Sequence, residues 1–438
     1  MKINFLTKLL FFLTIISLIL IFYKLYNVNA AGIYSFNNYY FYIPVVLFAL
    51  SIISTLLSKT VNFYFLYSIT ALLFSAYGLE IIYFAKDHNK EKKKFEYFKK
   101  NNLDHRERSE IYDEIIKKNL KITLSVPPQN FIKKNYPLFP LSGISNKKTI
   151  MCNESGYFNY YLSDRFGFNN NDDIYKKKNI HSVFIGDSFL HGACVKNKDN
   201  LVSNLQLSSF FKGKNILNLG YGGNGPLLSL ATLREYFPKN KNIKYLFWIY
   251  YEGNDLNELN NEIMDKKLIK YVKNSEYSQN LRVKQAKIDN YVLKVLKENK
   301  KIGDQTDLFS VNNMFSILGL DRIRGLVYSK FDFSGEYKKN IKTINSFEKV
   351  ASHIKNYTKN FGTKVVFIYI PSSFESEGKK YHNDILKIIK NNNITFLDLS
   401  NNKFIKDKKM YPKFGAHFNE DGYRVLSDKI SLFMSKNY

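Results

Sequence analysis

Five short runs rich in β-branched and aromatic residues, at 181–186, 213–219, 243–251, 364–370 and 393–399, are separated by stretches patterned as helices. This alternation restricts the chain more than any other feature. Strands that alternate with helices argue for a parallel sheet with helices packed on both faces. The expected fold is therefore α/β, a three-layer α/β/α sandwich on a five-stranded parallel sheet. In such sheets, sites lie at the carboxyl ends of the strands. The residues that directly follow the runs thus carry most of the functional reading.

The first run, His181-Ser-Val-Phe-Ile185, closes on Gly186-Asp187-Ser188. Strand, tight turn and helix start place the Ser188 hydroxyl above the sheet, near backbone N–H groups that can face a developing negative charge. The second run leads into Asn218-Leu-Gly-Tyr-Gly-Gly223-Asn-Gly-Pro226, and the third into Glu252-Gly253-Asn254-Asp255. Near the C-terminus stands Gly415-Ala-His417-Phe-Asn-Glu-Asp-Gly422. Each piece has a plain reading on its own. Ser188 suits a helix N-cap, Asn254-Asp255 a strand-ending turn, and His417 a surface loop. Taken together, in order and each after a strand or in the final loop, they are read as one site. Among the other histidines His191, three residues after Ser188, lines that site; its plain reading is a polar residue packed against the loop.

Ser, Gly, Asn and His in this order resemble the four blocks of the SGNH (GDSL-type) hydrolase superfamily. The resemblance runs from about residue 163 to 430 and includes a lead-in, Ser163-Asp-Arg-Phe-Gly-Phe168. It implies a flavodoxin-like SGNH fold and acyl transfer through serine, which needs a nucleophile, a base and donors for the oxyanion. Carried over, Ser188 is the nucleophile and His417 the general base. The Ser188 and Gly223 backbone N–H groups and the Asn254 amide form the oxyanion hole. Neither cofactor nor metal is expected. One departure stands out. Family members usually carry an Asp two or three residues before the histidine, and here those positions hold Gly415 and Phe414. The implied arrangement is a dyad, with His417 held by a backbone carbonyl or by a carboxylate from elsewhere.

The implied activity is that of a membrane-anchored serine esterase or O-acyltransferase acting on ester groups, such as O-acetyl, of an envelope glycan. A transferase would need a separate acyl-donor partner. The missing Asp motivates an alternative, a non-catalytic glycan-binding or assembly protein on a degenerate SGNH fold. A minor alternative is dinucleotide binding, because Gly220-x-Gly222-x-x-Gly225 has the fingerprint spacing. Against it, Pro226 follows directly and no acidic residue closes a strand about 20 residues on.

Two cysteines are present, Cys152 and Cys194. A disulfide between them would pin the serine-bearing helix and fit an oxidising compartment; two free thiols are the alternative.

The first 85 residues are apolar in three runs, with spans expected at about 5–25, 39–57 and 61–84, so two or three transmembrane helices precede the α/β domain. The first could instead be a cleaved signal peptide. A basic connector is expected over 86–135, then the hydrolase-like domain over 136–438 with a helical insertion at about 256–345. The lysines after the third run favour a cytoplasmic domain by the positive-inside rule, but long domains translocate with less regard to charge. The expected location is a multi-pass protein of the inner or plasma membrane, its α/β domain extracytoplasmic. The net charge of +27, from 65 Lys+Arg against 38 Asp+Glu, comes without zinc-ligand spacing or an RNA-binding signature. It is read as composition with some attraction to anionic surfaces, and no nucleic-acid partner is expected.

Overall fold

A computed structural model of the chain describes residues 39–118, 121–132, 134–239, 241–300, 316–330, 334–372 and 381–438, with six positions of the first apolar run. Its first elements are helices α1 (Tyr39–Leu56) and α2 (Lys59–Lys100). The third apolar run forms the first part of α2. The helix then continues past it, because residues 86–100 are mostly strong helix formers without Pro or Gly. Among the described residues, α2 is the one helix long and apolar enough to cross a membrane. The expectation of two or three spans is corrected accordingly. The apolar part of α1, Val45–Leu56, falls short of the roughly 20 residues a span needs, and the segment at 5–25 lies mostly outside the described residues.

The chain divides into two compact units: Met1–Tyr97 with Glu298–Gly335, and Phe98–Lys297 with Glu336–Tyr438. Part of the expected insertion thus groups with the N-terminal helices. There the buried Glu80 carboxylate accepts the N–H groups of Arg322 and Ile323 (3.2 and 3.0 Å), at the start of helix Asp321–Lys330. The Arg322 guanidinium lies 3.3 Å from the same carboxylate.

The second unit holds a small sheet, β1 (Ile122–Leu124), β2 (Lys148–Ile150) and β3 (Tyr160–Leu162), with β1 parallel and β3 antiparallel to β2. The main sheet contains β4 (Ser182–Ile185), β5 (Ile216–Asn218), β6 (Tyr245–Tyr251), β7 (Lys364–Ile370) and β8 (Thr395–Asp398). Its order is β5-β4-β6-β7-β8 and every pair is parallel. All five strands lie inside the five predicted runs. Alternate residues supply two separate cores, as the two-residue period of a strand requires. Val183, Ile185, Leu246, Trp248 and Phe367 face one core with helices α4 (Pro226–Tyr236) and α6 (Ser334–Lys359), the latter through Phe347, Val350 and Ile354. Phe184, Phe247, Ile249, Val366 and Ile368 face the other, with α7 (Glu420–Asn437) through Tyr423, Leu426, Ile430 and Met434. Two more helices complete the site's frame, α3 (Ser188–His191) after β4 and α5 (Asp255–Glu262) after β6.

From β4 the chain moves out to β5, then returns to the other side of β4 with β6. That reversal is the topological switch point, where the carboxyl ends open a crevice. Ser188 follows β4 and Asn254 follows β6, on the two strands that flank it.

Candidate active site

Gly186 lets β4 turn sharply against β6, since a Cβ there would lie 2.7 Å from the Ile249 carbonyl oxygen. Asp187 caps the one-turn helix α3 by accepting the Phe189 N–H at 3.0 Å. Ser188 is thereby held at the helix start with its hydroxyl 2.9 Å from His417 Nε2. The Asp187 carboxylate lies 3.2 Å from the same hydroxyl and can accept from it. His417 precedes α7, whose N-cap Asn419 accepts from Gly422 N at 3.0 Å. The Phe189 ring packs 5.3 Å from the imidazole.

Of the two partners expected for His417, a backbone carbonyl or a carboxylate from elsewhere, the structure provides the carboxylate. His417 Nδ1 lies 2.7 Å from Glu154 Oε1, and its backbone N–H donates to Glu154 Oε2 at 3.1 Å. The Nδ1–H donates to the carboxylate, so Nε2 is left to accept from Ser188. The glycine at 415 has a steric reason. A Cβ on Gly415 would sit 2.0 Å from Glu154 Oε2. The carboxylate that the local motif lacks comes from 263 positions away, and Gly415 leaves room for it. Burial lowers the affinity of His417 for a proton, but the hydrogen bond it donates to Glu154, then the charges of Glu154 and Asp187, raise the imidazole pKa above its ordinary value.

Glu154 reaches this position because its loop, between β2 and β3, is tied down at several points. Cys152 is disulfide-bonded to Cys194, just beyond α3. The Asn153 amide donates to the Asp104 carbonyl at 2.6 Å, the Asn159 amide to the Gly192 carbonyl at 3.3 Å, and the Tyr157 hydroxyl to Glu420 at 2.7 Å. Sequence reasoning placed Cys152 beside the site but passed over Glu154 two residues on. The signals that point to it are that adjacency and the glycine at 415.

The Gly220–Gly225 loop follows β5. Gly222 lies against the serine, where a Cβ would be 3.9 Å from Ser188 Cβ. Gly223 has φ +77°, a left-handed conformation that favours glycine, and its open face is covered by Pro127 and Gln129. His191 supports this loop rather than the serine. Its Nδ1 accepts from the Gly222 N–H (3.2 Å) and its Nε2 donates to the Tyr161 hydroxyl (3.0 Å). Burial pushes its pKa down to about 3, so it is neutral, as that bonding requires. Asn254 has its amide nitrogen 2.7 Å from Glu258 Oε1. In the lead-in segment, Asp164 is buried and accepts from Phe166 N, Phe168 N, Asn170 and Tyr175, which makes it a structural knot.

The helix N-terminus that a dinucleotide would use is already filled. Glu262 accepts from the N–H groups of Gly225 (2.7 Å), Leu227 (2.8 Å) and Leu228 (3.3 Å) at the start of α4. A carboxylate thus occupies the place of a pyrophosphate, which removes the structural basis of the dinucleotide reading. Among the described residues, Glu154, Cys194 and His417 come together with metal-ligand atoms, but the Cys194 sulfur is spent in the disulfide and offers no thiolate.

No protein-family model and no curated protein matches the chain. Among solved structures, it is similar to a mutant of Axe2, an acetyl-xylooligosaccharide esterase from Geobacillus Stearmophilus. The identity is 12%, the TM-score 0.30, and the match covers 60% of this chain and 97% of that one.

Proposed function

We propose that the protein is a membrane-anchored serine enzyme of the SGNH type, an esterase or O-acyltransferase acting on ester groups such as O-acetyl of an envelope glycan. The observation that carries this reading is the continuous hydrogen-bonded line from Ser188 through His417 to Glu154, at 2.9 and 2.7 Å. In that reading Ser188 attacks the acyl carbon as His417 Nε2 takes its proton, and Glu154 stabilises the imidazolium formed. The Ser188 and Gly223 N–H groups and the Asn254 amide receive the oxyanion. His417 returns the proton to the departing alcohol and leaves an acyl group on Ser188. Water or a sugar hydroxyl then takes the acyl group by the reverse sequence.

The absence of an Asp before His417 motivates a non-catalytic reading, and Glu154 supplies the carboxylate whose lack that reading rests on. Anchoring is supported by α2, and an extracytoplasmic domain by the Cys152–Cys194 disulfide, which suits an oxidising space. A transferase would draw its acyl group from a separate donor protein. The test is labelling of the full chain with a fluorophosphonate probe beside Ser188→Ala. Labelling that disappears in the variant supports an activated serine. A folded wild-type protein that does not label argues for the binding-only alternative.

A further inference from the structure

An amide oxyanion donor works only if its nitrogen, and not its oxygen, faces the developing charge. An asparagine amide can turn over by rotation about its terminal bond, and an inverted amide would place a lone pair against the oxyanion. Something must therefore fix the orientation of Asn254. Its Oδ1 is buried without a hydrogen-bond partner among the described residues. Its Nδ2 makes one bond, donating to Glu258 Oε1 at 2.7 Å, one helical turn away on α5. An amide nitrogen carries two hydrogens, so one N–H is held by Glu258 and the other has no acceptor among the described residues. Among the described residues, no other hydrogen bond selects this orientation.

Resting on the acyl-transfer reading above, we infer that Glu258 is a positioning residue for the oxyanion hole, fixing Asn254 with an N–H toward the reacting centre. Among the described residues the second oxygen of Glu258 is buried without a hydrogen-bond partner, so the carboxyl is spent there on this one contact and not on an ion pair. Its surroundings are acidic. Burial, then the charges of Asp187 and Glu262, push its pKa well above the ordinary range, against the smaller lowering by the Asn254 bond. A neutral carboxyl accepts from Asn254 without setting a full negative charge beside the oxyanion, where it would oppose catalysis. Glu258 touches no reacting atom in this scheme and acts through Asn254.

The experiment is a double-mutant cycle on the second-order rate of fluorophosphonate labelling of Ser188, in the full-length chain, because the phosphonyl oxygen seats where the oxyanion would. Loss of a hole donor costs on the order of 100- to 1,000-fold, and Asn254→Ala is expected in that range. Glu258→Leu is expected to slow labelling by roughly 10- to 100-fold, a part of that loss. Glu258→Gln, which keeps an acceptor oxygen at the same reach, is expected to recover most of it. In the Asn254→Ala background, Glu258→Leu should add nothing, because the amide it orients is gone. Should the leucine variant fail to fold, Glu258→Asp, with its carboxyl drawn back by one methylene, must show the same slow labelling and the same silence without Asn254. Wild-type labelling rates in Glu258→Leu, or losses that multiply in the double variant, would overturn the assignment while leaving the serine enzyme intact. A wild-type protein that does not label removes the acyl-transfer reading itself and the assignment with it.

Discussion

A histidine acts as a base toward serine only if one ring nitrogen is fixed as donor, so that the other is left as acceptor. Glu154 does this from two sides, binding both the ring and the backbone N–H of residue 417. Glu154→Gln should lower kcat/KM by roughly 10²–10⁴-fold, the scale seen when a triad acid is neutralised. The pH profile should shift in a defined direction. Activity needs the neutral imidazole, and Glu154 helps hold the His417 pKa above its ordinary value. The acidic limb of kcat/KM in the wild type should therefore lie above that of Glu154→Gln, which moves to lower pH; coincident limbs would show that Glu154 does not bear on the titration. Gly415 offers a sharper test. Glu154→Gly, which also removes the Cβ that would lie 2.7 Å from one at 415, combined with Gly415→Asp puts a carboxylate two residues before the histidine, and should regain part of the activity lost in Glu154→Gly alone. The pairing of Ser188 with His417 was legible because each belongs to a local pattern, one after a strand and the other in the last loop. Glu154 was not, because no local pattern marks it and only the folded path of its loop brings it to His417.

Among the elements, the main strands were legible and the small sheet was not, for one reason. A buried strand writes an apolar run, as Tyr245–Tyr251 does, and even the three-residue β5 is buried throughout, whereas β1, β2 and β3 have three residues each with exposed or half-buried positions among them, too little apolar sequence to stand out. The 151–159 loop, anchored by that sheet, bears Glu154, so the element least visible in sequence positions the missing carboxylate. The Cys152–Cys194 disulfide closes 42 residues and joins this loop to the end of α3. By chain entropy it should stabilise the fold by about 4 kcal/mol. Cys152→Ser with Cys194→Ser should lower the melting temperature and, by loosening Glu154, reduce turnover on the order of tenfold or more, within the range set by losing the acid altogether. Glu154→Gln made in the same background should then cost less than it does in the wild type. Equal costs in both backgrounds would mean that the disulfide does not hold the carboxylate in place.

At the scale of the whole molecule, the apolar N-terminal region was legible by composition, but the number of spans was not, because an apolar run gives length without showing where a helix begins or ends. The charge of +27 is likewise plain in the sequence, yet the groups that set the response to pH are buried and few. Burial raises Glu262 to about 8 and Asp187 to about 6, and it raises Asp255 well above the carboxylate range. Such groups hold their protons longer folded than unfolded. Their contribution to stability is full below the unfolded carboxylate pKa near 4 and is lost as pH rises through the folded values. Buried histidines act in the opposite sense. His191 and His181 are lowered to about 3 and about 4, so they favour the fold above the unfolded histidine pKa of about 6.5 and oppose it progressively below. From pH 6.5 to 8 each histidine adds only about 0.4 kcal/mol, as the last half of its unfolded-state protonation is lost, while Glu262 continues to lose its proton on unfolding. The full chain in detergent should therefore melt at a lower temperature at pH 8 than at pH 6.5, the reverse of what a fold stabilised by surface carboxylate pairs shows over acid pH. Glu262→Gln should flatten that slope, since an amide keeps an acceptor for the N–H groups of Gly225, Leu227 and Leu228 without a charge to bury. A slope unchanged by the substitution would assign the alkaline loss to Asp255 and Glu258, the other raised carboxyls of the same helix.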